Sequence, residues 1–504
     1  MRKNILQYLE ENVDKYPGNI SFADKDTQLT YIELLNRSKS VGSFLSGRAV
    51  PGTAVFVYME KSAEVLTAYF GAVYAGCFYI PIDEKMPPDR INRIIDVVGN
   101  GVIIYDSTTQ KHIDEINPDC DKFKYEEIYA TEIDENALGN IRKKSIDTDP
   151  VYILFTSGST GTPKGVVICH RSVIAYSKWL KETFAFDSTT VFGNQTPFYF
   201  SMSVLDIYAT ISSGASLWII PKSYFSFPKK LLEFINEKKV NTIYWVPSAM
   251  GIVAQFDAFK YVTPEYLRTV LFAGEVMPNK ILNVWRKNVP NALYANLFGP
   301  TEITDIGIYY TVNRDFADDE PLPIGGVCDN VGILVVNDKN ELITKAGDKG
   351  ELYIRGSFLS HGYYNNPEKT KESFVNNPIN NSYPEVVYKT GDIVYYNELG
   401  ELMYAGRKDF QIKHMGNRIE LGEIENSFSA IAGVDRCCCL YDPDEDMIIG
   451  VYSGSAEAKC IMDILSEKLP AYMIPNKYEK LDILPLNSNG KIDRKLLTME
   501  LIKK

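Results

Sequence analysis

The sequence predicts an α/β protein with three parts: parallel-rich sheets covered by helices, a β-barrel-like part, and a small C-terminal α+β domain. Three observations predict it. Short apolar, β-branched runs alternate with helical segments as far as Leu297, which is typical of parallel sheets covered by helices. Glycine-punctuated, alternating segments follow from about Pro321 and indicate antiparallel strands. The composition changes again near Gly406, where we expect the smaller domain to begin.

Length and charge limit the classes of function. At about 150 residues per domain, 504 residues are enough for three or four domains. The chain is 45% hydrophobic and 23% charged, as in ordinary globular proteins, which excludes disorder and a small disulfide scaffold. The net charge of −12 argues against a nucleic-acid partner, and any bound phosphate must meet a local group of basic residues.

The N-terminal elements follow from apolar spacing. Ile5, Leu6, Leu9 and Val13 recur at helical intervals, which predicts an amphipathic helix and not a secretory signal. The uncharged run Val65–Ile82 is near the lower length limit of a membrane span, but it contains two glycines and a proline. We interpret it as a buried helix, a glycine turn and a short strand, and we expect no membrane span.

The strands of the first part are short and β-rich, and one intervening helix is clear. Leu231, Leu232 and Ile235 form one face of a helix just before Thr242. Several strands end in polar or glycine-containing loops, which should converge because ligands bind at the carboxyl ends of strands in open α/β sheets. The predicted strands are Val55–Met59, Val102–Tyr105, Val151–Phe155, Thr242–Val246, Val270–Phe272 and Leu293–Leu297.

The C-terminal domain is predicted from a strand at Cys437–Tyr441, a helix at Ala456–Leu469 and a turn at Asn489-Gly490. We divide the chain into domains 1–408 and 409–504.

Adjacent cysteines in the run Cys437–Cys439 alternate faces on a strand, so a zinc site there is not expected. The four histidines lack metal-ligand spacing, and no GxSxG motif supports a serine hydrolase. Reduced cysteines suit a cytoplasmic protein.

The segment Thr156–Gly165, TSGSTGTPKG, carries the sharpest chemical signal. Its glycines, hydroxyls and Lys164 follow a buried strand, so backbone N–H groups and hydroxyls can surround an anion. The spacing is wrong for a Walker A loop and for GxGxxG. A second strand ends in NLFGPTE, where Glu302 could hold Mg²⁺ on a nucleotide. On their own, Asp392, Arg407 and Lys491 could equally be solvated surface charges.

Together, the segments TSGSTGTPKG, NLFGPTE, YKTGD, GRKDFQIKHMGNRIELGEIE and LPLNSNGKIDRK, in this order, resemble the adenylate-forming superfamily. With weaker matches upstream, the resemblance runs from Leu29 to Lys491. It implies a mobile C-terminal domain and a two-step ligase: a carboxylic acid attacks the α-phosphate of ATP, pyrophosphate leaves, and a phosphopantetheine thiol takes the acyl group from the acyl-adenylate. ATP and Mg²⁺ are the implied cofactors.

The resemblance also implies site residues. Lys491, Thr301 and Glu302 would be catalytic, with Glu302 as the metal ligand. Asp409 would be the hinge, and Gly416 would lie beside the pantetheine tunnel. ATP would contact Thr156, Ser157, Gly158, Ser159, Thr160, Gly161, Lys164, Asn296, Phe298, Gly299, Asp392 and Arg407.

The C-terminal motifs are most similar to peptide-synthetase adenylation domains and D-alanine–carrier protein ligases, although Asn417 replaces the usual tyrosine. We therefore expect a small, amino-acid-like carboxylic acid as substrate and a separate phosphopantetheinylated carrier protein as partner, as in nonribosomal peptide synthesis. The first alternative is an acyl- or aryl-CoA synthetase that uses free coenzyme A, or a D-alanine–carrier protein ligase. A non-catalytic nucleotide sensor is the second, and the intact Lys491, Glu302 and Lys164 argue against it.

The substrate pocket departs from the family. Ser201 stands where the family carries an aspartate that binds the substrate's α-ammonium, and Ala273 stands where D-alanine ligases carry a cysteine. Asp305 is then the pocket's single carboxylate and would bind a displaced amine, as in a β- or ω-amino acid, or a hydroxyl of a hydroxy-aryl acid; alternatively, it points out of the pocket. The pocket lining expected from the resemblance is Ser201, Met202, Leu205, Ser248, Leu271, Ala273, Leu297, Asp305 and Ile306.

Overall fold

The computed structural model of the protein describes residues 2–117, 119–158, 162–486 and 492–502. Up to Lys144 the helices are α1 (Leu6–Lys15), α2 (Tyr31–Ser46), α3 (Ala63–Tyr74), α4 (Pro88–Val98), α5 (Tyr125–Ile128) and α6 (Glu135–Lys144). The strands of this stretch are β1 (Ile20–Ala23), β2 (Gln28–Thr30), β3 (Ala54–Tyr58), β4 (Phe78–Ile82), β5 (Val102–Tyr105) and β6 (Asp121–Lys124).

From Pro150 to Thr311 strands and helices alternate. The strands are β7 (Pro150–Thr156), β8 (Lys164–Cys169), β9 (Val191–Asn194), β10 (Ser216–Ile219), β11 (Thr242–Trp245), β12 (Thr269–Phe272), β13 (Leu293–Phe298) and β14 (Ile308–Thr311). The helices are α7 (His170–Phe184), α8 (Ser203–Ser213), α9 (Pro228–Glu237), α10 (Pro247–Gln255) and α11 (Asn279–Asn288).

Strands dominate the next part of the chain. They are β15 (Gly326–Val327), β16 (Val331–Val336), β17 (Lys349–Gly356), β18 (Phe374–Asn376), β19 (Val386–Tyr396) and β20 (Leu402–Arg407), with helix α12 (Pro367–Ser373) among them. Short 3₁₀ helices lie at Gln110–Glu115, Lys222–Ser226, Ala258–Lys260, Thr301–Ile303 and Ala471–Met473.

The remaining elements form the C-terminal segment. Its strands are β21 (Gln411–His414), β22 (Asn417–Glu420), β23 (Val434–Asp442), β24 (Met447–Gly454) and β25 (Lys477–Lys480). Its helices are α13 (Leu421–Ser429), α14 (Ala458–Lys468) and α15 (Arg494–Leu501). The predicted turn at Asn489-Gly490 lies outside the described residues.

Two large sheets, parallel in most of their pairings, form the first part, as predicted. One has the order β15-β14-β13-β12-β11-β9-β10-β1-β2, and the other has the order β6-β5-β3-β4-β7-β8. Every residue of β3 is buried, as expected for a parallel strand covered on both faces. The β-barrel-like part is a sheet in which β16, β17, β18, β19 and β20 pair antiparallel.

The hydrophobic cores follow this division. One continuous cluster of buried side chains extends from Ile5 to Leu402. Two further clusters consist only of residues from Ile412 onward. Cys437 and Cys439 face one of them and Cys438 faces the other, so these cysteines alternate faces as predicted. The domain boundary between 408 and 409 and the hinge at Asp409 stay predictions.

The uncharged run Val65–Ile82 has the predicted structure. It contributes most of helix α3, a turn at Gly76 with φ of +71°, and strand β4. Both elements are buried along their length. Among the described residues, the structure contains no helix whose length and apolar character would let it cross a membrane.

Candidate active site

A cavity lies where the carboxyl ends of β7, β12 and β13 face the β21–β22 hairpin of the C-terminal segment. The empty space within it and at its mouth, including space open to solvent, amounts to about 890 Å³. The loops after these three strands therefore converge, as expected. Among the predicted site residues, its wall contains Thr156, Ser157, Ser201, Met202, Ala273, Gly299, Thr301, Asp305, Ile306, Asp392, Arg407 and Gly416.

The described part of the glycine- and hydroxyl-rich loop contacts the C-terminal segment. The Ser157 hydroxyl donates to the Arg418 carbonyl (2.9 Å) and accepts from the Glu420 N–H (3.0 Å). A Cβ at Gly158 would lie 2.0 Å from the Thr162 carbonyl oxygen, so only glycine fits there. The Thr156 hydroxyl is buried without a hydrogen-bond partner in the structure and is available to a ligand. Ser159, Thr160 and Gly161 lie outside the described residues.

Lys164 begins β8 behind this loop and does not line the cavity. Its Nζ lies 3.6 Å from Glu420 Oε1 and 5.5 Å from the centre of the Tyr363 ring. Burial lowers the pKa of Lys164, and the charge of Arg418 lowers it further, while Glu302 and Glu420 raise it.

Glu302 is fully buried, with both carboxylate oxygens engaged. Tyr363 Oη donates to Oε1 (2.7 Å), and Arg418 Nη1 lies 2.6 Å from Oε2. Burial alone would raise the pKa of Glu302, but the charges of Arg418 and Lys164 outweigh it and hold the pKa at about 2. Glu302 is therefore ionised at neutral pH, as a magnesium ligand must be.

Asp392 and Arg407 pair across neighbouring strands at the cavity wall. Arg407 Nη1 donates to Asp392 Oδ1 (3.0 Å) and to the Thr390 carbonyl (2.7 Å). Arg407 also binds Asp409 through two hydrogen bonds (2.9 and 2.7 Å). The Arg407 guanidinium thus binds both Asp392, its partner in the predicted ribose-binding pair, and Asp409, the predicted hinge.

Two predicted ATP contacts, Asn296 and Phe298, do not line the cavity. The Asn296 side chain donates to the Pro323 carbonyl (2.9 Å), which fixes the neighbouring loop. The Phe298 ring packs against Tyr404 and lies 5.1 Å from Lys413 Nζ. Their role toward ATP stays a prediction.

The acid pocket is shallower than the sequence suggested. Leu271 in β12 and Leu297 in β13 are buried and do not line the cavity, whereas Ala273 and Gly299, which follow these strands, do line it. Leu205 is buried in α8, and the Ser248 hydroxyl is 3.0 Å from Glu275 Oε1. The predicted pocket residues that do not line the cavity are therefore Leu205, Ser248, Leu271 and Leu297.

Asp305 lines the cavity although it is only 1% exposed. Its Oδ2 accepts hydrogen bonds from Tyr176 Oη (2.7 Å) and Tyr244 Oη (3.3 Å). Burial raises the pKa of Asp305, the two tyrosines lower it in part, and the resulting pKa is about 8. Tyr176 and Tyr244 come from α7 and β11, and no sequence motif could have placed them beside Asp305.

Gly416 lies at the tip of the β21–β22 hairpin, with φ of +76°. A Cβ there would lie 2.7 Å from Val246 Cγ1, so a side chain would collide with the loop after β11. The predicted catalytic Lys491 lies outside the described residues.

Two basic residues of the same hairpin were not singled out from the sequence. Lys413 and Arg418 both line the cavity. Burial lowers the pKa of Lys413. Both belong to the motif GRKDFQIKHMGNRIELGEIE, and their place in that motif was the signal available. Among the described residues, no group of three His, Cys, Asp or Glu side chains could hold a metal by itself, so Glu302 would need ligand oxygens from a bound nucleotide.

Comparison with known proteins agrees with this geometry. Residues 9–364 match the family described as AMP-binding enzyme. The D-alanine–D-alanyl carrier protein ligase of Bacillus cytotoxicus is 32% identical over 510 residues, which cover 98% of this chain and 99% of that protein. The ligase of the same name from Bacillus cereus is 32% identical over 513 residues, covering 98% and 99%.

Solved structures show the same fold. The crystal structure of IdnL1 has a TM-score of 0.84 at 23% identity and covers 96% of this chain and 99% of its own. The Vibrio cholerae adenylation domain AlmE, in complex with glycyl-adenosine-5′-phosphate, has a TM-score of 0.83 at 19% identity and covers 100% and 98%. With the family match over residues 9–364, these findings establish that the chain belongs to the AMP-binding enzyme family.

Proposed function

We propose that this protein is an ATP-dependent ligase that activates a small, amino-acid-like carboxylic acid and loads it onto a separate carrier protein. The acid becomes an acyl-adenylate as pyrophosphate leaves, and a phosphopantetheine thiol of the carrier then takes the acyl group. The observation that carries the proposal is the single cavity that joins Thr156, Thr301, the Asp392–Arg407 pair and the acid pocket. Relatives that match nearly the whole chain are named carrier protein ligases.

The nucleotide would occupy the basic end of the cavity. Thr156, Ser157 and the glycines after them would bind the β- and γ-phosphates, Thr301 the α-phosphate, and Asp392 with Arg407 the ribose. Adenylation needs charge neutralisation and positioning more than covalent help. Lys491 would supply the positive charge between the acid and the α-phosphate.

Glu302 would hold Mg²⁺ on the phosphates. Its carboxylate is ionised, and it directly follows Thr301, which lines the cavity, although Glu302 itself is fully buried behind the wall. An ionised carboxylate at this position fits a magnesium ion whose other ligands are phosphate oxygens. When bound, Mg²⁺ would neutralise charge on the phosphates as pyrophosphate leaves. Arg418 already binds Glu302 in the described arrangement, so Arg418 must move away before the carboxylate can take the metal.

The described arrangement suits the second step. The β21–β22 hairpin lies against the phosphate loop through Ser157, and the Gly416 backbone lies beside Gly274 at the acid pocket. A pantetheine arm would pass Gly416 to reach the acyl-adenylate. Lys491 would act in the first step, with the C-terminal segment rotated about Asp409. We expect the protein to act in the cytoplasm, where ATP is available and its eight free cysteines stay reduced.

The test is a pyrophosphate-release screen over short amino, hydroxy and aryl acids, followed by a comparison of acceptors. We expect acid-dependent release of pyrophosphate, and faster thioester formation on a phosphopantetheinylated carrier protein than on free coenzyme A. Faster turnover with coenzyme A would instead identify an acyl- or aryl-CoA synthetase. Absence of pyrophosphate release with every acid would contradict the enzymatic proposal and favour a nucleotide sensor.

A further inference from the structure

We infer that the substrate acid carries an ammonium group that pairs with Asp305, so that the substrate class is that of short amino acids. This inference rests on the proposed function and extends it to the chemistry of the substrate. It depends on three observations: a buried carboxyl without a cation, a strained turn that presents it, and a shallow pocket.

Asp305 is a buried acidic group without a basic partner among the described residues. No cationic side chain of the described residues pairs with it, and the side chains that act most strongly on its pKa are Tyr176, Tyr244, Asp206 and Ser201, none of them cationic. Buried carboxylates in proteins are almost always paired with a cation or coordinate a metal. Because Asp305 lines the ligand cavity, the ligand is positioned to supply that cation.

The hydrogen bonds leave one oxygen for a ligand. The two tyrosines donate to Oδ2, and the structure assigns no hydrogen bond to Oδ1 among the described residues. The Ser201 hydroxyl is close enough to lower the pKa of the carboxyl. An ammonium at Oδ1 would therefore meet both the charged Asp305 and the hydroxyl that replaces the family's aspartate.

The backbone before Asp305 is strained in a way that presents its side chain. Thr304 has φ of 77° and ψ of −58°, and the Asp305 N–H bonds to the Ile303 carbonyl (3.0 Å). This is a γ-turn of the rare, strained form, at a β-branched residue. The Thr304 hydroxyl stabilises it by donating to the Phe358 carbonyl (2.8 Å). Strain of this kind clusters at ligand-binding sites.

The pocket limits the length of the acid. The cavity reaches Ala273 and Gly299 but not Leu271 and Leu297, which are buried two residues earlier in the chain, so its depth favours a short acid. The basic side chains Lys413 and Arg418 line the same cavity as Thr301. A short zwitterion would place its carboxylate near Thr301 and its ammonium near Asp305. The sequence-based expectation that the amine is displaced from the α-carbon stays a prediction.

The experiment compares pairs of acids that differ only in the amine, by ATP–pyrophosphate exchange. The probes are D-alanine with propionate, and 3-aminobutyrate with butyrate. For at least one pair we expect the amino acid to have a kcat/KM about 10²-fold or more above that of its amine-free partner, because a site built for a polar group rejects an analogue that lacks it. The Asp305→Asn variant should lose most of this preference, measured as the ratio of the two kcat/KM values within a pair.

Asp206→Asn is the matched control. Asp206 is also a fully buried aspartate, with a pKa that burial raises to about 7, but it does not line the cavity. We expect this variant to keep the wild-type preference for the amine. Equal use of both members of each pair, or an unchanged preference in Asp305→Asn, would overturn the inference while leaving the proposed ligase intact. Absence of exchange with every carboxylic acid would overturn the ligase proposal and this inference with it.

Discussion

Three residues apart in the chain, Glu302 and Asp305 are both buried carboxyls, yet their pKa values shift in opposite directions. Glu302 faces Arg418 and Lys164, whose charges hold its pKa at about 2. Asp305 faces hydroxyls and another acid, so burial dominates and its pKa is about 8. The neighbouring groups therefore give the two carboxyls different charges. Glu302 is ionised at neutral pH, whereas Asp305 must lose a proton before it can pair with a cation.

The pH dependence of substrate binding tests the charge of Asp305. Below about pH 8 the free enzyme holds Asp305 protonated, so binding an ammonium requires loss of that proton. We expect the KM for the best amino acid to fall by up to about tenfold per pH unit from pH 6 toward 8, until the amine itself deprotonates. The titratable groups that face Asp305 are Tyr152, Tyr176, Asp206, Tyr244 and Cys328.

The comparison for this pH profile is the Asp206→Asn variant, in which Asp305 keeps its tyrosine partners. The dependence should persist there and disappear in Asp305→Asn. A KM that stays constant between pH 6 and 8 in the wild type would contradict a protonated Asp305.

Glu302→Gln tests the proposed metal ligand. Removing the charge should lower the rate of adenylation by about 10²-fold or more and raise the Mg²⁺ concentration needed for half-maximal rate. Pyrophosphate exchange across a magnesium titration measures both. Glu372→Gln, at the exposed end of α12, is the control and should match the wild type. An unchanged magnesium requirement in Glu302→Gln would show that another group holds the metal.

At the scale of elements, the β21–β22 hairpin and α13 hold the C-terminal segment against the first part. Arg90 of α4 and Glu423 of α13 form a buried ion pair, and Glu423 Oε2 also accepts the Gly158 N–H (3.2 Å). Arg418 pairs with Glu302 in the same interface. The C-terminal segment thus contacts the phosphate loop at Gly158 and the proposed metal ligand Glu302. ATP and Mg²⁺ would bind the same groups and would compete with these contacts.

The Arg90–Glu423 pair predicts a selective defect. Arg90→Ala leaves the Glu423 charge buried and unpaired when the segment is docked, which costs about 3–5 kcal/mol, but not when Glu423 faces water. We expect thioester transfer from supplied acyl-adenylate to slow, with pyrophosphate exchange retained. Adding Glu423→Gln should restore part of the transfer rate. Equal loss of both half-reactions would contradict the assignment.

Gly416 predicts a steric block of the second step. Gly416→Ala places a methyl group 2.7 Å from Val246 Cγ1, so the hairpin could not dock fully. Thioester formation should fall sharply while acid adenylation continues. Gly400→Ala is a matched control, because Gly400 has almost the same φ, +75° against +76°, but no atom within 4 Å of the added Cβ. If thioester formation fell by a comparable amount in Gly400→Ala, the cause would be backbone strain and not the collision with Val246.

Across the whole molecule, local signals predicted the elements better than the site. The predicted strand Val102–Tyr105 has the same bounds as β5, whereas the predicted strand Val55–Met59 lies one position later than β3. Apolar runs indicate buried strands, but the hydrogen bonds that define where a strand begins and ends cannot be inferred from them. The cavity unites loops of two sheets with a distant hairpin. Motifs anticipated the cavity-lining residues Thr156, Ser157 and Thr301.

Sequence motifs could not predict contacts between side chains that lie far apart in the chain and meet only in the folded protein. Tyr176 reaches Asp305 from α7, and Arg90 reaches Glu423 from α4, each across more than a hundred positions of sequence. Pocket depth was equally hidden, because the sequence does not show that Leu271 within β12 is buried away from the cavity while Ala273, just after β12, lines it.

The most direct test of the account is acid-dependent exchange of labelled pyrophosphate into ATP, measured without any acceptor thiol. We expect exchange with a short amino acid and Mg²⁺, because an acyl-adenylate forms and reverts within the cavity. We also expect Lys491→Ala to abolish this exchange while thioester formation from supplied acyl-adenylate survives. Exchange that needs the acceptor, or release of phosphate and ADP in place of pyrophosphate, would contradict an adenylate-forming ligase.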